Sequence, residues 1–288
     1  MLPFAARSGL LLNLAGSAPL LSARQCVTLH DAAVFDHPEA YTGVFVTWYR
    51  ALFRHHATHA HKIFTVSRFS RARLAARLCL APEDIGVVHN GGGHLDAVLA
   101  DDRILDLHGL RGCRYLLAVG SASATKNIDR LEQAFASLST ATDVRLVIVG
   151  GGNAQVFVGS AAQEPGFDTT RVLRTGPLDD APLKALYQHA QALVFPSVYE
   201  GFGLPPLEAM SCACPVAAAR AASMPEVCGE AALYFDPLSV QDIANALQRL
   251  LSEPQLRHRL AAAGPAQAAR FSWQEAALEL RGHIGALA

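Results

Sequence analysis

Short unbroken apolar runs, each followed by a helix-patterned segment, recur along this 288-residue chain. One series lies at 10–14, 26–29, 62–66 and 86–89. A second lies at 115–119, 144–149, 171–174, 192–195, 215–218 and 233–235. The runs are continuous rather than alternating, as in strands covered on both faces of a parallel sheet. Segments with helical spacing lie between them, for example 127–138, 183–190 and 240–251. Strand–helix alternation predicts right-handed βαβ units and an α/β fold. The series divides near residues 91–113. This predicts an N-terminal domain over 1–105, a second over 106–270, and a C-terminal helix over 271–288 that packs back toward the first. No strand with a glycine-rich turn precedes residue 10, so the first domain is expected to be incomplete at its front.

Composition narrows the function classes. Hydrophobic residues make up 51% and charged residues 17%, enough for a sizeable core. Lys plus Arg is 24 and Asp plus Glu is 25, which argues against a general nucleic-acid partner. Six scattered cysteines without C-x-x-C spacing are expected to be small buried hydrophobes in a reducing compartment. Met1 to Ala23, with Arg7 and an apolar run, has the outline of a signal peptide. Asn13, Ser17 and Pro19 interrupt the run, which favours a buried strand at 10–14 entering a turn.

The segment 38–55 carries Tyr41, Val44, Phe45, Trp48, Leu52 and Phe53 at three- and four-residue steps. This amphipathic stripe predicts core packing, with contact to a membrane surface or lipid-bearing substrate as the alternative. His55, His56, His59 and His61 cluster at its end without an H-E-x-x-H frame, so no metal site is expected there.

The chemistry concentrates in VFPSVYEGFGLPPLEAMSCACP, residues 194–215. A buried strand ends, and a loop with Glu200, Gly201, Phe202 and Gly203 follows. Leu204, Pro205 and Pro206 then open a helix, where proline's missing N–H costs nothing. A glycine loop leading into a helix N-terminus offers unpaired N–H groups and a positive dipole end, which suits phosphate. Glu208 is expected to point back toward the same crevice. The alternatives are an exposed loop carboxylate for Glu200 and a favourable helix-dipole partner for Glu208.

The Glu200-x7-Glu208 spacing around G-F-G-L-P-P-L-E resembles the signature of glycosyltransferase family 4, retaining nucleotide-sugar-dependent enzymes with two Rossmann-like domains (the GT-B fold). Gly120-Ser121 followed by Lys126-Asn127 resembles the family's phosphate loop. Thr65 to Ser70 resembles its T-V-S-x-F-S segment, and Asn90-Gly91 its strand-end N-G. Pro225-Glu226-Val227 and Phe271-Ser272-Trp273 resemble two further motifs, in order. The run HDAAVFDHPEAY is similar to the bacterial O-antigen mannosyltransferase-like branch.

The resemblance implies roles. Glu200 would sit near the donor sugar hydroxyls, and Gly201, Phe202, Gly203 and Leu204 would hold the diphosphate through backbone N–H groups. Glu208 would accept from the ribose, while Lys126, with Gly120 and Asn127 in its loop, would neutralise the leaving diphosphate. His30 matches a histidine near the anomeric carbon; a satisfied core histidine is the alternative. Loops at 150–152, including Gly151, and at 175–178, including Leu178, would contact the base. No metal or resident cofactor is required. One expected basic residue is replaced by Thr125, and Arg220 is a candidate to compensate.

The implied function is transfer of a hexose, mannose from GDP-mannose, to a saccharide or lipid-linked saccharide acceptor in cell-surface polysaccharide synthesis. The implied location is cytoplasmic, peripheral at the inner membrane. The alternatives are a catalytically impaired nucleotide-sugar-binding fragment and an epimerase or hydrolase of the same architecture.

Overall fold

A computed structural model describes residues 9–22, 24–138, 143–151 and 171–285. The N-terminal sheet is built from β1 (Leu11–Asn13), β2 (Gln25–Thr28), β3 (Lys62–Thr65) and β4 (Ile85–Val87), all parallel and in chain order. Helices α1 (Ala33–Asp36), α2 (Gly43–His59) and α3 (Arg68–Leu78) connect these strands. Ser67 caps α3 by accepting the Ser70 N–H at 3.0 Å, satisfying one of the donors a helix start leaves unpaired.

The expected buried strand at 10–14 is instead a half-exposed strand, with Leu14 61% exposed. Its described pairing is on one side only, with β2, so less of it is covered. The amphipathic stripe also divides. Leu52 and Phe53 are buried, whereas Val44 and Trp48 are 84% and 57% exposed. Tyr41, Phe45, Tyr49 and Phe53 form a ladder of ring contacts, with centroids 4.2–5.9 Å apart. Residues four apart meet on one helix face, while Val44 and Trp48 fall on the adjoining face.

The second domain begins with α4 (Arg103–Leu107) and continues through β5 (Arg114–Val119), α5 (Ile128–Ala136), β6 (Val144–Val149) and β7 (Val172–Gly176). Next come α6 (Asp180–His189), β8 (Ala192–Phe195), α7 (Leu204–Ser211), β9 (Val216–Ala219), α8 (Met224–Cys228) and β10 (Ala232–Phe235). Helices α9 (Val240–Ser252) and α10 (Pro254–Ala268) follow. The sheet is parallel, in the order β10-β9-β8-β5-β6-β7. Alternate residues feed two cores. Tyr115, Leu117, Leu193, Phe195 and Val216 face one, and Leu116, Ala118, Ala192, Val194 and Ala217 face the other. Period-two side chains on a doubly covered sheet require this division.

The final helix, α11 (Trp273–Gly285), lies against the N-terminal sheet. The His283 ring sits 5.4 Å from the Phe64 ring, and Glu279 accepts the His89 N–H at 3.1 Å. Three cysteines, Cys26, Cys214 and Cys228, are buried, and burial pushes the thiols of Cys214 and Cys228 up to about 12. Cys79 departs from the buried expectation because it sits exposed in a left-handed conformation just after α3.

Candidate functional site

The connection order of the second sheet creates its crevice. The chain runs from β5 outward through β6 and β7, then returns to β8 on the other side of β5. The carboxyl ends of β5 and β8 therefore diverge, the switch point at which open α/β sheets bind ligands. The loop after β5 carries Gly120 and Lys126, and the loop after β8 carries Glu200. The Val198 N–H donates to the Thr125 carbonyl at 2.9 Å, tying the loops together. Lys126 Nζ donates to Glu200 Oε1, and both side chains are largely buried. The lysine stem crosses Gly120, where an added Cβ would stand 3.3 Å from Lys126 Cγ and Cδ.

The glycine loop is braced from both domains. Ser67 Oγ and Ser70 Oγ, at the start of α3, donate to the Gly201 carbonyl at 2.6 and 3.1 Å. Ser223 Oγ bonds the carbonyls of Glu200 and Phe202 at 3.0 and 2.8 Å. A Cβ at Gly201 would stand 2.8 Å from the His30 carbonyl oxygen, so the domains meet here at backbone contact. Gly203 has φ +102°, and a Cβ there would meet Met224 Cε at 2.2 Å. Both constraints select glycine. Phe202 is buried against the rings of His89 and Phe271, while Leu204 is half-buried at the start of α7.

Other expected site residues have partners of their own. A ring nitrogen of His30 bonds the Leu14 carbonyl at 3.0 Å. Glu208 accepts from Tyr187 Oη at 2.8 Å and lies 3.6 Å from His94. Burial raises its carboxyl above the usual range. Asn127, in a left-handed conformation, donates to the carbonyls of Pro196 and Pro237 at 3.1 and 2.8 Å; it staples two strand-end loops. Gly120, Asn127 and Gly151 line a cleft of about 650 Å³ with Arg130 and Arg174, and its lining residues Ser121 and Ser123 also border the Lys126–Glu200 side. Leu178 packs partly buried against the core; Gly152, in the expected base-contacting loop, lies outside the described residues. Arg220 stacks over the Tyr234 ring at 4.7 Å and lines a different cleft with Arg249 and Arg259, so it does not supply the second cation.

A cavity of about 140 Å³ lies between the domains, bounded by Asp31, Tyr41, Ser123, Lys126, Tyr199 and Glu200. Sequence reasoning did not single out Asp31, Tyr41 or Tyr199 for this place. The available signal was the run HDAAVFDHPEAY, whose acidic and aromatic residues only the domain junction brings to the glycine loop.

Two polar clusters close this junction. Asp36 accepts from Arg73 Nε at 2.7 Å, Arg73 Nη2 at 2.6 Å, Arg77 Nε at 2.6 Å and Tyr199 Oη at 3.0 Å. Burial opposes ionisation, but the arginine and tyrosine hydrogen bonds outweigh it and hold its carboxyl at about 2. On the other flank, Glu226 accepts the backbone N–H groups of Arg68, at 3.0 Å, and Phe69, at 3.3 Å, and lies 3.1 Å from His89 Nε2. Burial works to raise the Glu226 carboxyl. The bonds from His89 and the two amides prevail and hold it below the usual range.

Residues 110–267 match the glycosyl transferases group 1 family. The chain is 34% identical over 257 residues to the O-antigen chain mannosyltransferase B of Escherichia coli, covering 87% of this chain and 67% of that protein. The sucrose-phosphate synthase of Thermosynechococcus elongatus has a similar structure, with TM-score 0.72 at 22% identity, over 91% of this chain and 67% of that one. Anabaena Alr3699/HepE, solved in complex with UDP-glucose, superposes with TM-score 0.71 at 18% identity, over 91% and 72%. With these similarities, and the doubly wound domain carrying Lys126, Glu200 and the glycine turn, the chain belongs to the glycosyl transferases group 1 family.

Proposed function

We propose that the chain transfers a hexose, mannose from GDP-mannose, with retention onto a saccharide or lipid-linked saccharide acceptor of a cell-surface polysaccharide. The observation that carries the reading is the Lys126–Glu200 pair beside the glycine turn, at the crevice between β5 and β8. The mannose assignment rests on the similarity to the E. coli mannosyltransferase.

Diphosphate is already a good leaving group, so the reaction requires charge stabilisation more than a strong acid. In the proposed step the acceptor hydroxyl oxygen bonds to the anomeric carbon as the bond from that carbon to the β-phosphate oxygen breaks. The departing diphosphate takes up the hydroxyl proton, and attack on the face it leaves preserves the configuration. Lys126 and the N-terminal end of α7 stabilise the negative charge that develops on the phosphate oxygens. Glu200 holds Lys126 in place and accepts from sugar hydroxyls; it is not assigned as a nucleophile. The acceptor approaches from the N-terminal domain. No helix among the described residues is long and apolar enough to cross a membrane. The proposed location is the cytoplasmic face of the membrane, with the enzyme bound peripherally.

The test is transfer of radiolabelled mannose from GDP-mannose to a lipid-linked oligosaccharide. Lys126→Ala and Glu200→Ala should each reduce kcat by about 10²–10³-fold, the range for losing a group that stabilises transition-state charge. Unchanged rates in both variants would remove the site.

A further inference from the structure

We propose that Asp31 is a hexose-binding residue: a second carboxylate, supplied by the opposite domain, that accepts a hydroxyl of the sugar portion of the donor. The inference rests on the donor reading above and extends it to the other side of the cavity.

Asp31 follows β2 in the N-terminal domain, yet it lines the same cavity as Lys126 and Glu200. Its Oδ1 accepts the Ala33 N–H at 2.8 Å, which fixes the carboxylate plane. Its Oδ2 faces the glycine loop, 3.3 Å from where a Cβ of Gly201 would stand. An alanine at 201 would therefore crowd the group that glycine leaves accessible. The side chain is held by its own backbone, and one oxygen remains for an incoming donor.

The charge balance then selects the ligand. Two carboxylates, Asp31 and Glu200, face one cation, Lys126, among the described residues lining the cavity. Tyr41, Ser123 and Tyr199 also line it, the Tyr199 hydroxyl being committed to Asp36. An acceptor-rich, net negative cavity disfavours a phosphate and favours a polyhydroxyl group whose O–H bonds can all donate. Burial and the nearby Glu200 raise the Asp31 carboxyl, a desolvation cost that sugar hydroxyl donors would offset. Division follows within one ligand. The diphosphate lies on the Lys126 and glycine-turn side, and the hexose lies between the two carboxylates.

The closure contacts give the division a consequence. Tyr199, next in sequence to Glu200, is bonded to Asp36 of the N-terminal domain and packs its ring edge-on to His37 and Phe69. The same juxtaposition that seats Tyr199 brings Asp31 to Glu200. The sugar is thus held from both sides only with the domains together.

The experiment compares binding of GDP-mannose with GDP, and UDP-glucose with UDP, by titration calorimetry on the full chain. Asp31→Asn keeps an oxygen for the Ala33 N–H, and Asp31→Ser provides a second way to retain that bond. Both variants should bind the bare diphosphate like the unaltered protein. Both should bind the matching sugar nucleotide about tenfold or more weakly, the scale of a lost hydrogen bond to a charged acceptor. Equal affinities for the sugar nucleotide in variant and unaltered protein would overturn the assignment. So would an equal loss for diphosphate and sugar nucleotide, which would make Asp31 a structural residue. If the unaltered protein bound none of the four nucleotides, the donor reading would fail and this inference with it. That outcome is distinct from failure of the variants alone.

Discussion

The two domains bury their sheets differently. Both faces of the C-terminal sheet are packed, with Leu117 and Phe195 on one side and Ala118 and Val194 on the other, all fully or almost fully buried. The described residues of the N-terminal domain form one apolar cluster, around Val27, Leu29, Ile63 and Leu74, with Phe64 covered by α11 instead, and leave Leu14, Leu21, Val44 and Trp48 exposed. The chemistry follows the same asymmetry. Lys126, Glu200 and the glycine turn belong to the C-terminal domain, while the N-terminal domain contributes Asp31, Tyr41 and the serines that hold the Gly201 carbonyl. The first domain is expected to derive more of its order from the junction than the second does. Fully buried aliphatic side chains contribute roughly 1.5–3 kcal/mol each, so the domain with fewer of them depends more on polar contacts with its neighbour.

The largest expected effect breaks the self-sufficient side. Gly203→Ala forces a φ of +102° on a residue with a Cβ and drives that atom into the buried Met224. The expected loss is about 2–5 kcal/mol, backbone strain plus overpacking against a buried side chain, read from urea unfolding. Gly112, also at positive φ but with open space around its Cβ position, supplies the control. Equal losses for alanine at both positions would show that the Met224 contact is irrelevant.

An intermediate effect tests the junction. Asp36→Asn weakens the charged bonds to Arg73, Arg77 and Tyr199, and should cost about 1–3 kcal/mol. Hydrogen exchange should rise in β2 and β3 while β5 and β8 keep their protection. A uniform rise would erase the asymmetry between the domains. Because the folded carboxyl is held at about 2, below its ordinary value, its contribution is present above pH of about 4 and fades as pH falls toward 2. Asp36→Asn should flatten that part of the acid profile.

The smallest effect lies on the other flank. The Glu226 hydrogen bond, followed by attraction from Glu279, raises the His89 pKa despite burial. The raised value means that its contribution is full below the ordinary histidine pKa of about 6.5 and is lost as pH rises through the folded value. A mildly alkaline decline in Tm, absent in His89→Gln, is expected. An identical pH profile in the variant would show that this contact does not couple the domains.

Much of the architecture was legible locally. The continuous runs located the strands because doubly covered parallel strands are apolar at every position, and the C-terminal series emerged with small shifts in its ends. The exposure of β1 was not legible, since Leu11 to Asn13 reads the same whether a strand is paired on one side or two. Glu200 was legible from its glycine neighbours and loop position, and Lys126 from the resemblance of its loop to a phosphate loop; that the two side chains pair was not. The partners of Glu208 were hidden because Tyr187 and His94 approach from other elements.

The chain's own order of residues determined the alternation of strand and helix, the glycine turn entering α7 and the cation placed after β5. Each depends on neighbours close in sequence: backbone conformation, periodicity and the unpaired groups at a helix start. Only the tertiary structure decided that Asp31 shares a cavity with Glu200, that Asp36 grips Tyr199, and that the His30 ring meets the Leu14 carbonyl. Those outcomes depend on how two sheets meet. A side chain's partner across a domain junction is chosen by packing and electrostatics over distances that sequence spacing does not encode.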